Sequence, residues 1–556
     1  MNSTKWWFVL VAVLLACGGL VGCGGDDDDN DAADDDTSVA DDDTTTDDDE
    51  ADDDEVDDDV ADDDTTDDDT TDDDIIDDDT LDDDTADDDT ADDDSVDDDT
   101  AADVYMAPWP QQNVHSGEYN ETLTAGAMRA KAEGYDAFHL GHHQPYYGGT
   151  VDANFTDDTY TVPENYGGWG DSCIWTGTYL GSQALRYWVT GDAQAKENSI
   201  NMVDTLDGYL HVTGRPGFIA RYWAPQDSIS YGGDEWCDDP NQDRCHHWED
   251  GEFAGDWWWG ETSRDQYTGW FFGNTMAYDL VDDETMRQKI RDNVTEVLDE
   301  LIANDWWIID EAGEPTDAAP NIMPMFRLAW ALMGYHITGE ERFKEQVQEW
   351  LQDSKRTAFK LSNLAFMNRY AQYYGNNLSH TNWFNILRLG KVYFSAEDYA
   401  FFLDVFETQV HTFTRLSHNA WFNGVFMNFG DYQPSNNVKD DYLDQLLTDL
   451  GDFRTAPNYS YYLPARTGYT VDPFSELMYN LQQQFPWLEE LMGSVSIQAL
   501  DAFPILEQCT TGFLFQRNPF QIEECGYDDV TDVNPGVDYL VAYWLAAYGE
   551  FVTKDM

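Results

Sequence analysis

Residues 174 to 189 read Ile-Trp-Thr-Gly-Thr-Tyr-Leu-Gly-Ser-Gln-Ala-Leu-Arg-Tyr-Trp-Val, apolar or small on nearly every side, the pattern of a helix packed all round. Thr190-Gly191-Asp192 interrupts it. Ile200, Val203, Leu206 and Leu210 then recur at spacings of three and four between polar residues, which predicts an outer helix with one buried face. The same break returns at Thr338-Gly339-Glu340: Ala331, Leu332 and Tyr335 echo Ala184, Leu185 and Tyr187, and Phe343, Val347 and Leu351 form the next stripe. Residues 266 to 281 turn at Asp282-Asp283-Glu284 into a stripe of Met286, Ile290, Val294, Val297 and Leu301. The repeating unit is therefore a hairpin of one inner and one outer helix.

An internal repeat sets Leu378-Ser379-His380-Thr381-Asn382-Trp383-Phe384-Asn385 against Leu416-Ser417-His418-Asn419-Ala420-Trp421-Phe422-Asn423, 38 residues later, about one hairpin. With Ser as N-cap, each copy starts a helix and projects a His and an Asn from its first turns. Counting helix starts this way gives six: Asp171-Ser172, Ser263, Pro320, Ser379, Ser417 and Pro535. Six hairpins close an all-α, (α/α)6 toroid whose inner helices are parallel, so their N-termini gather at one mouth and favour anionic groups there. Residues 355 to 375 predict an unpaired helix and 450 to 534 a long irregular insertion. A helix around 120 to 133 is placed to close the ring beside 535 to 549.

The segment Trp169-Gly170-Asp171-Ser172-Cys173-Ile174-Trp175-Thr176-Gly177-Thr178-Tyr179-Leu180, with the Thr-Gly hairpin turns, resembles the six-hairpin glycosidase-like superfamily over most of residues 120 to 550. That superfamily includes glycoside hydrolases, polysaccharide lyases and members with no known activity. The resemblance implies a toroid that handles an oligo- or polysaccharide, and leaves the chemistry to the site residues.

Composition divides the chain of 556 residues into three parts. Met1 to Lys5 and the apolar run from Trp6 to Ala16 read as a signal peptide, 1 to 22. Leu20-Val21-Gly22-Cys23 resembles a lipobox, which implies lipidation of Cys23 and anchoring to a bacterial membrane, with Gly24 pointing to the outer membrane. Residues 24 to 103 hold 45 Asp and 2 Glu with no Lys or Arg, and from Asp47 to Asp99 Asp-Asp-Asp-x-x repeats eleven times. Period five fits neither helix nor strand, and such charge cannot bury a core, so 23 to 103 reads as a disordered tether. Its Asp clusters offer loose Ca²⁺ binding but lack the turned loop of an EF-hand, and no other cofactor is expected.

The whole chain has a formal charge of −87, which makes nucleic acid an unfavourable partner. Residues 104 to 556 form the toroid domain. Of seven Cys, an exported chain leaves Cys173, Cys237, Cys245, Cys509 and Cys525. Local disulfides, Cys237 with Cys245 and Cys509 with Cys525, are the simplest pairing. His139, His142 and His143 have no carboxylate at ligand spacing, so no metal site is expected.

Three constellations offer chemistry. Asp171, flanked by Trp169 and Trp175, suits a general acid of raised pKa, with a helix N-cap as the plain alternative. Asp265, in the second mouth loop beside Arg264, is its candidate partner in glycoside hydrolysis, which needs two carboxylates across the bond. His380 and His418, with Asn377, Asn382 and Asn419, offer the base and acid of a lyase; the alternative is hydrogen-bonded core His.

Between 231 and 270, Trp236, Trp248, Trp257, Trp258 and Trp259 lie among Asp234, Glu235, Asp238, Asp239, Glu249, Asp250 and Glu261, which suits sugar stacking and equally a helical core. Trp175 and Tyr267 join this substrate-binding set. Arg221 and Arg517 are placed to clamp a substrate carboxylate or to bridge loops. A hydrolase using Asp171 and Asp265 is the leading expectation, ahead of a lyase and of a non-catalytic glycan-binding protein.

Overall fold

The computed structural model describes residues 126–552, apart from 231–236, 238–243, 368, 371–372, 431–441, 510–512 and 527–529. The signal peptide, Cys23 and the Asp-rich stretch lie outside the described residues, as do Asp234, Glu235, Trp236, Asp238 and Asp239.

Helical hairpins build a closed ring. The inner helices are α2 (Ser172–Thr190), α4 (Arg264–Leu280), α6 (Pro324–Thr338), α9 (Tyr374–Tyr393), α11 (Ala420–Phe429) and α15 (Val537–Tyr548). Each packs on the next, and α15 returns to α2. Outside them lie α3 (Ala193–His211), α5 (Glu284–Ala303), α7 (Glu341–Leu351), α10 (Ala396–Val405) and α12 (Tyr442–Asp452). The sixth outer place is taken by the first helix of the chain, α1 (Ala127–His142), which packs on α15 and α12. An extra helix, α8 (Asp353–Phe366), stands between α7 and α9.

The hairpin turns follow their residues. Gly191 (φ 67°) and Gly339 (φ 72°) end α2 and α6 in the left-handed region, and the Asp192 and Asp283 side chains cap the next helices by accepting the N–H of Gln194 and Met286. Three predicted helix starts move. Helix α6 begins at Pro324, four residues after Pro320. Ser379 is buried inside α9, and the cap of α11 is Asn419, whose side chain accepts the Phe422 N–H, rather than Ser417. The two copies of the repeat therefore occupy different helix registers.

The closest approach in the ring is between α2 and α4. A Cβ on Gly269 would lie 2.4 Å from the Ile174 Cα, and one on Gly177 would lie 2.0 Å from the Gly269 carbonyl oxygen. Only glycine lets these backbones touch, and this contact sets Asp171 and Asp265 side by side at the N-terminal ends. At the other end, buried Asp279 of α4 accepts from His336 Nε2 of α6 at 2.6 Å and pairs with Arg388 of α9. Three helices are tied there through one charged group, as a buried carboxylate requires.

Two small sheets border the mouth. One has strands β3 (Tyr222–Pro225), β5 (Asp256–Trp259) and β4 (Cys245–His247), with β5 central. The other has the order β2-β1-β7-β6, pairing β1 (Asp152–Phe155) with β2 (Pro163–Gly167) and with β7 (Asp532–Asn534), which also pairs with β6 (Asn458–Tyr459). The insertion thus has regular parts, including helices α13 (Pro473–Gln484) and α14 (Trp487–Met492). Cys237 is bonded to Cys245 and Cys509 to Cys525, while Cys173 is a buried free thiol. Among the described residues no helix is long and apolar enough to cross a membrane.

Candidate active site

Asp171 closes a short turn, Trp169–Asp171, at the start of α2 and occupies its cap position, yet its carboxylate makes no capping bond. Its Oδ1 instead accepts from Gln266 Nε2 at 3.2 Å. Asp265, in the first turn of α4, accepts at Oδ1 from the Gln266 main-chain N–H at 3.0 Å and from Ser263 Oγ. Its Oδ2 lies 3.5 Å from the same Gln266 Nε2. Two carboxylates thus face one nitrogen. Burial, and next the charge of Asp265, push the Asp171 carboxyl up to about 7, against the weaker opposing pull of Arg221, Gln266 and Arg517. The group therefore keeps its proton up to near neutral pH, which suits a general acid.

Arg221 fastens the two loops. Its Nε donates to the Glu261 carbonyl at 2.8 Å, Nη1 to the Gly170 carbonyl at 3.0 Å and Nη2 to Ser263 Oγ at 3.1 Å. In this placement its fork is spent on protein oxygens, so it steadies the loops and lends charge to Asp171 rather than meeting a ligand.

Beside the pair, strands β1 and β7 bring in Asp152 and Asp532, and the first turn of α15 brings in Asp538. Burial raises the Asp152 carboxyl well above the usual range, with the charges of Asp532, Asp171 and Asp538 adding to it and Arg517 opposing. A cavity of about 10 Å³, room for one water, lies between Asp152, Trp175, Phe513, Asn534, Pro535, Gly536 and Asp538. Phe513, from the insertion, stacks on Trp175 with ring centroids 4.2 Å apart and planes 16° apart, so it covers the indole face. Half-buried Arg517 follows it and acts electrostatically on both Asp152 and Asp171.

Other candidates serve the core as placed here. Trp257, Trp258 and Trp259 are buried because both faces of β5 are covered, by Trp169 over Trp257 and Trp259 and by Phe218 over Trp258. Trp257 donates to Ser228 Oγ, Trp258 stacks on His246, and Trp257 and Trp259 meet Trp169 edge-on. The run therefore buttresses the turn that carries Asp171 instead of presenting open faces. Tyr267 is buried and donates to the Gly217 carbonyl.

His380 is buried in α9, with Nδ1 on the Asn376 carbonyl, Nε2 on Thr414 Oγ1 and its ring stacked on Phe422. Burial pushes it down to about 3, so it stays neutral and out of reach. His418 sits two residues before α11 at φ 52° and is bonded through Nδ1 to buried Asp449 at 2.7 Å. Burial opposes its charge, but the bond and charge of Asp449 hold it above the ordinary imidazole value. It stands at the same mouth, separated from α2 by α15. Among the described residues no group of His, Cys, Asp and Glu is placed to hold a metal ion. His139 and His143 bond instead to the carbonyls of Pro535 and Val151.

Gln266, Asp152, Asp538 and Phe513 complete the site and were not singled out in the sequence. Asp538 carried a signal, an acidic residue in the first turn after Gly536, the same logic that marks Asp171. Gln266 carried one only in being next to Asp265. Asp152 and Phe513 carried none, because distant pairing and an irregular loop deliver them.

The chain matches no protein-family model and no curated protein sequence. Among solved structures it is similar to one described as Bacteroides ovatus GH9, at 10% identity over 77% of this chain and 84% of that chain, with a TM-score of 0.35.

Proposed function

We propose that this protein is an exported, lipid-anchored carbohydrate-active enzyme, a glycoside hydrolase working with Asp171 and Asp265 at the mouth of the ring. The observation that carries the reading is the carboxylate pair itself: one member raised to about 7, the other met by several donors, both on one buried amide nitrogen. With each oxygen so close to that nitrogen, the two are less than about 7 Å apart, which favours the shorter spacing of direct attack over a wider gap holding a water.

Asp171 gives its proton to the leaving glycosidic oxygen while an Asp265 oxygen attacks the anomeric carbon and forms a glycosyl ester. Asp171, now a carboxylate, takes a proton from water, whose oxygen displaces the ester and restores both groups. Trp175 offers the face on which a sugar ring stacks, and the charge of Arg517 acts on Asp171 and Asp152 beside it. A ring reaches that face when Phe513 turns aside.

Coverage of Trp175 by Phe513 favours a second reading, a glycan-binding protein with no turnover. A screen of the purified protein on neutral and uronate-containing polysaccharides separates the readings. Reducing ends without ultraviolet absorbance support hydrolysis, absorbance supports a lyase, and binding without either supports the second reading. Anchoring through Cys23 rests on residues 1 to 23, and incorporation of labelled fatty acid, lost in Cys23→Ser, is its test.

A further inference from the structure

Gln266 is fully buried, and its amide has one possible orientation. Oε1 accepts the Ile174 N–H at 3.0 Å, one of the first-turn donors of α2 that needs a partner. Nε2 then faces the Gly170 carbonyl at 3.1 Å, Asp171 Oδ1 at 3.2 Å and Asp265 Oδ2 at 3.5 Å. Rotating the amide by half a turn would set an oxygen against three oxygens and N–H against N–H. Two hydrogens are therefore shared by three acceptors. Asp265 has two further donors, the Gln266 main-chain N–H and Ser263 Oγ. We infer that Gln266 is the positioning residue that bridges Asp171 and Asp265, its one buried amide donor shared between the two carboxylates.

The chemical consequence is that one shared donor keeps the two carboxylates close, where burial and the charge of Asp265 raise the cost of ionising Asp171. Facing the pair from other elements are Asp152 of β1, Asp532 of β7, Asp538 of α15, the Cys173 thiol of α2, Arg221 and Arg517. All stay unchanged in the test. The use of the pair in catalysis rests on the function proposed above, whereas the pairing is measurable without a substrate.

Gln266→Glu keeps an oxygen for the Ile174 N–H and replaces only the donor. Its urea midpoint should fall at pH 8 and fall less at pH 5, where an added proton can restore a donor. Gln266→Glu combined with Asp171→Asn returns an amide to the opposite side and should recover more than half of the lost midpoint at pH 8. An equal loss at both pH values, or no recovery in the double variant, would overturn the inference and leave Gln266 as a tie between α2 and α4.

If Gln266→Glu does not fold, Gln266→Met removes both polar ends. In that background Asp171→Asn should raise the midpoint at pH 8 more than it does in the parent, and an equal or smaller rise overturns the inference. Turnover bears on the functional reading alone: an inactive parent would count against that reading, and the stability cycle would still decide the pair.

Discussion

Asp171→Asn should change how stability depends on pH, by an amount set by its surroundings. The carboxyl stands at about 7 in the folded protein against an ordinary 3.8. Below pH 3.8 both folded and unfolded chains hold the proton, and the group contributes nothing. Between 3.8 and about 7 the unfolded chain releases it first, so the folded state loses stability as pH rises, and above 7 the full cost is present. At 1.36 kcal/mol for each pKa unit that cost is about 2 to 4 kcal/mol, the lower figure allowing for the partial exposure of the side chain.

The amide cannot ionise, so Asp171→Asn should gain on the parent by that amount between pH 4 and pH 8. Urea unfolding of both proteins across this range reads it directly. A difference that stays flat from pH 4 to pH 8 would mean instead that Asp171 titrates alike in the folded and unfolded chains.

Gly269→Ala should lower stability by at least the roughly 1 to 3 kcal/mol of an overpacked core, since the new methyl meets the Ile174 backbone, and calorimetry should show the loss. Arg388→Met should cost about 3 to 5 kcal/mol in urea unfolding by leaving buried Asp279 with His336 alone, and addition of Asp279→Asn should return part of it. Phe513→Ala should uncover Trp175, so saccharide binding followed by tryptophan fluorescence should tighten; unchanged or weaker binding would place the sugar elsewhere.

The ring was legible because its signals are local. Left-handed glycines after Thr190 and Thr338 and stripes at helical spacing mark hairpins without any knowledge of their neighbours. The repeat around Ser379 and Ser417 misled on register because capping depends on where the preceding loop delivers the chain: α9 begins five residues before Ser379, and α11 waits for Asn419. The Trp257, Trp258 and Trp259 run looked like a stacking surface, yet Trp169 covers one face of its strand and Phe218 the other, packing that only the folded chain reveals. Asp171 and Asp265 could be placed at a common mouth from helix starts alone. Their closeness could not, because it comes from glycines at 177 and 269 touching across two helices. Asp152 enters through a strand paired with residues some 380 positions later, which no local pattern records.

The proposed chemistry has Asp171 and Asp265 together cleave a glycosidic bond at the mouth of the ring. The most direct measurement is the rate of reducing-end release by the parent, Asp171→Asn and Asp265→Asn, side by side on the polysaccharide the parent cuts best, with circular dichroism confirming the fold of each. The parent should release reducing ends and either variant should lose at least about 100-fold, in line with removal of a general acid or its partner. Parent-like release by both folded variants would contradict that chemistry.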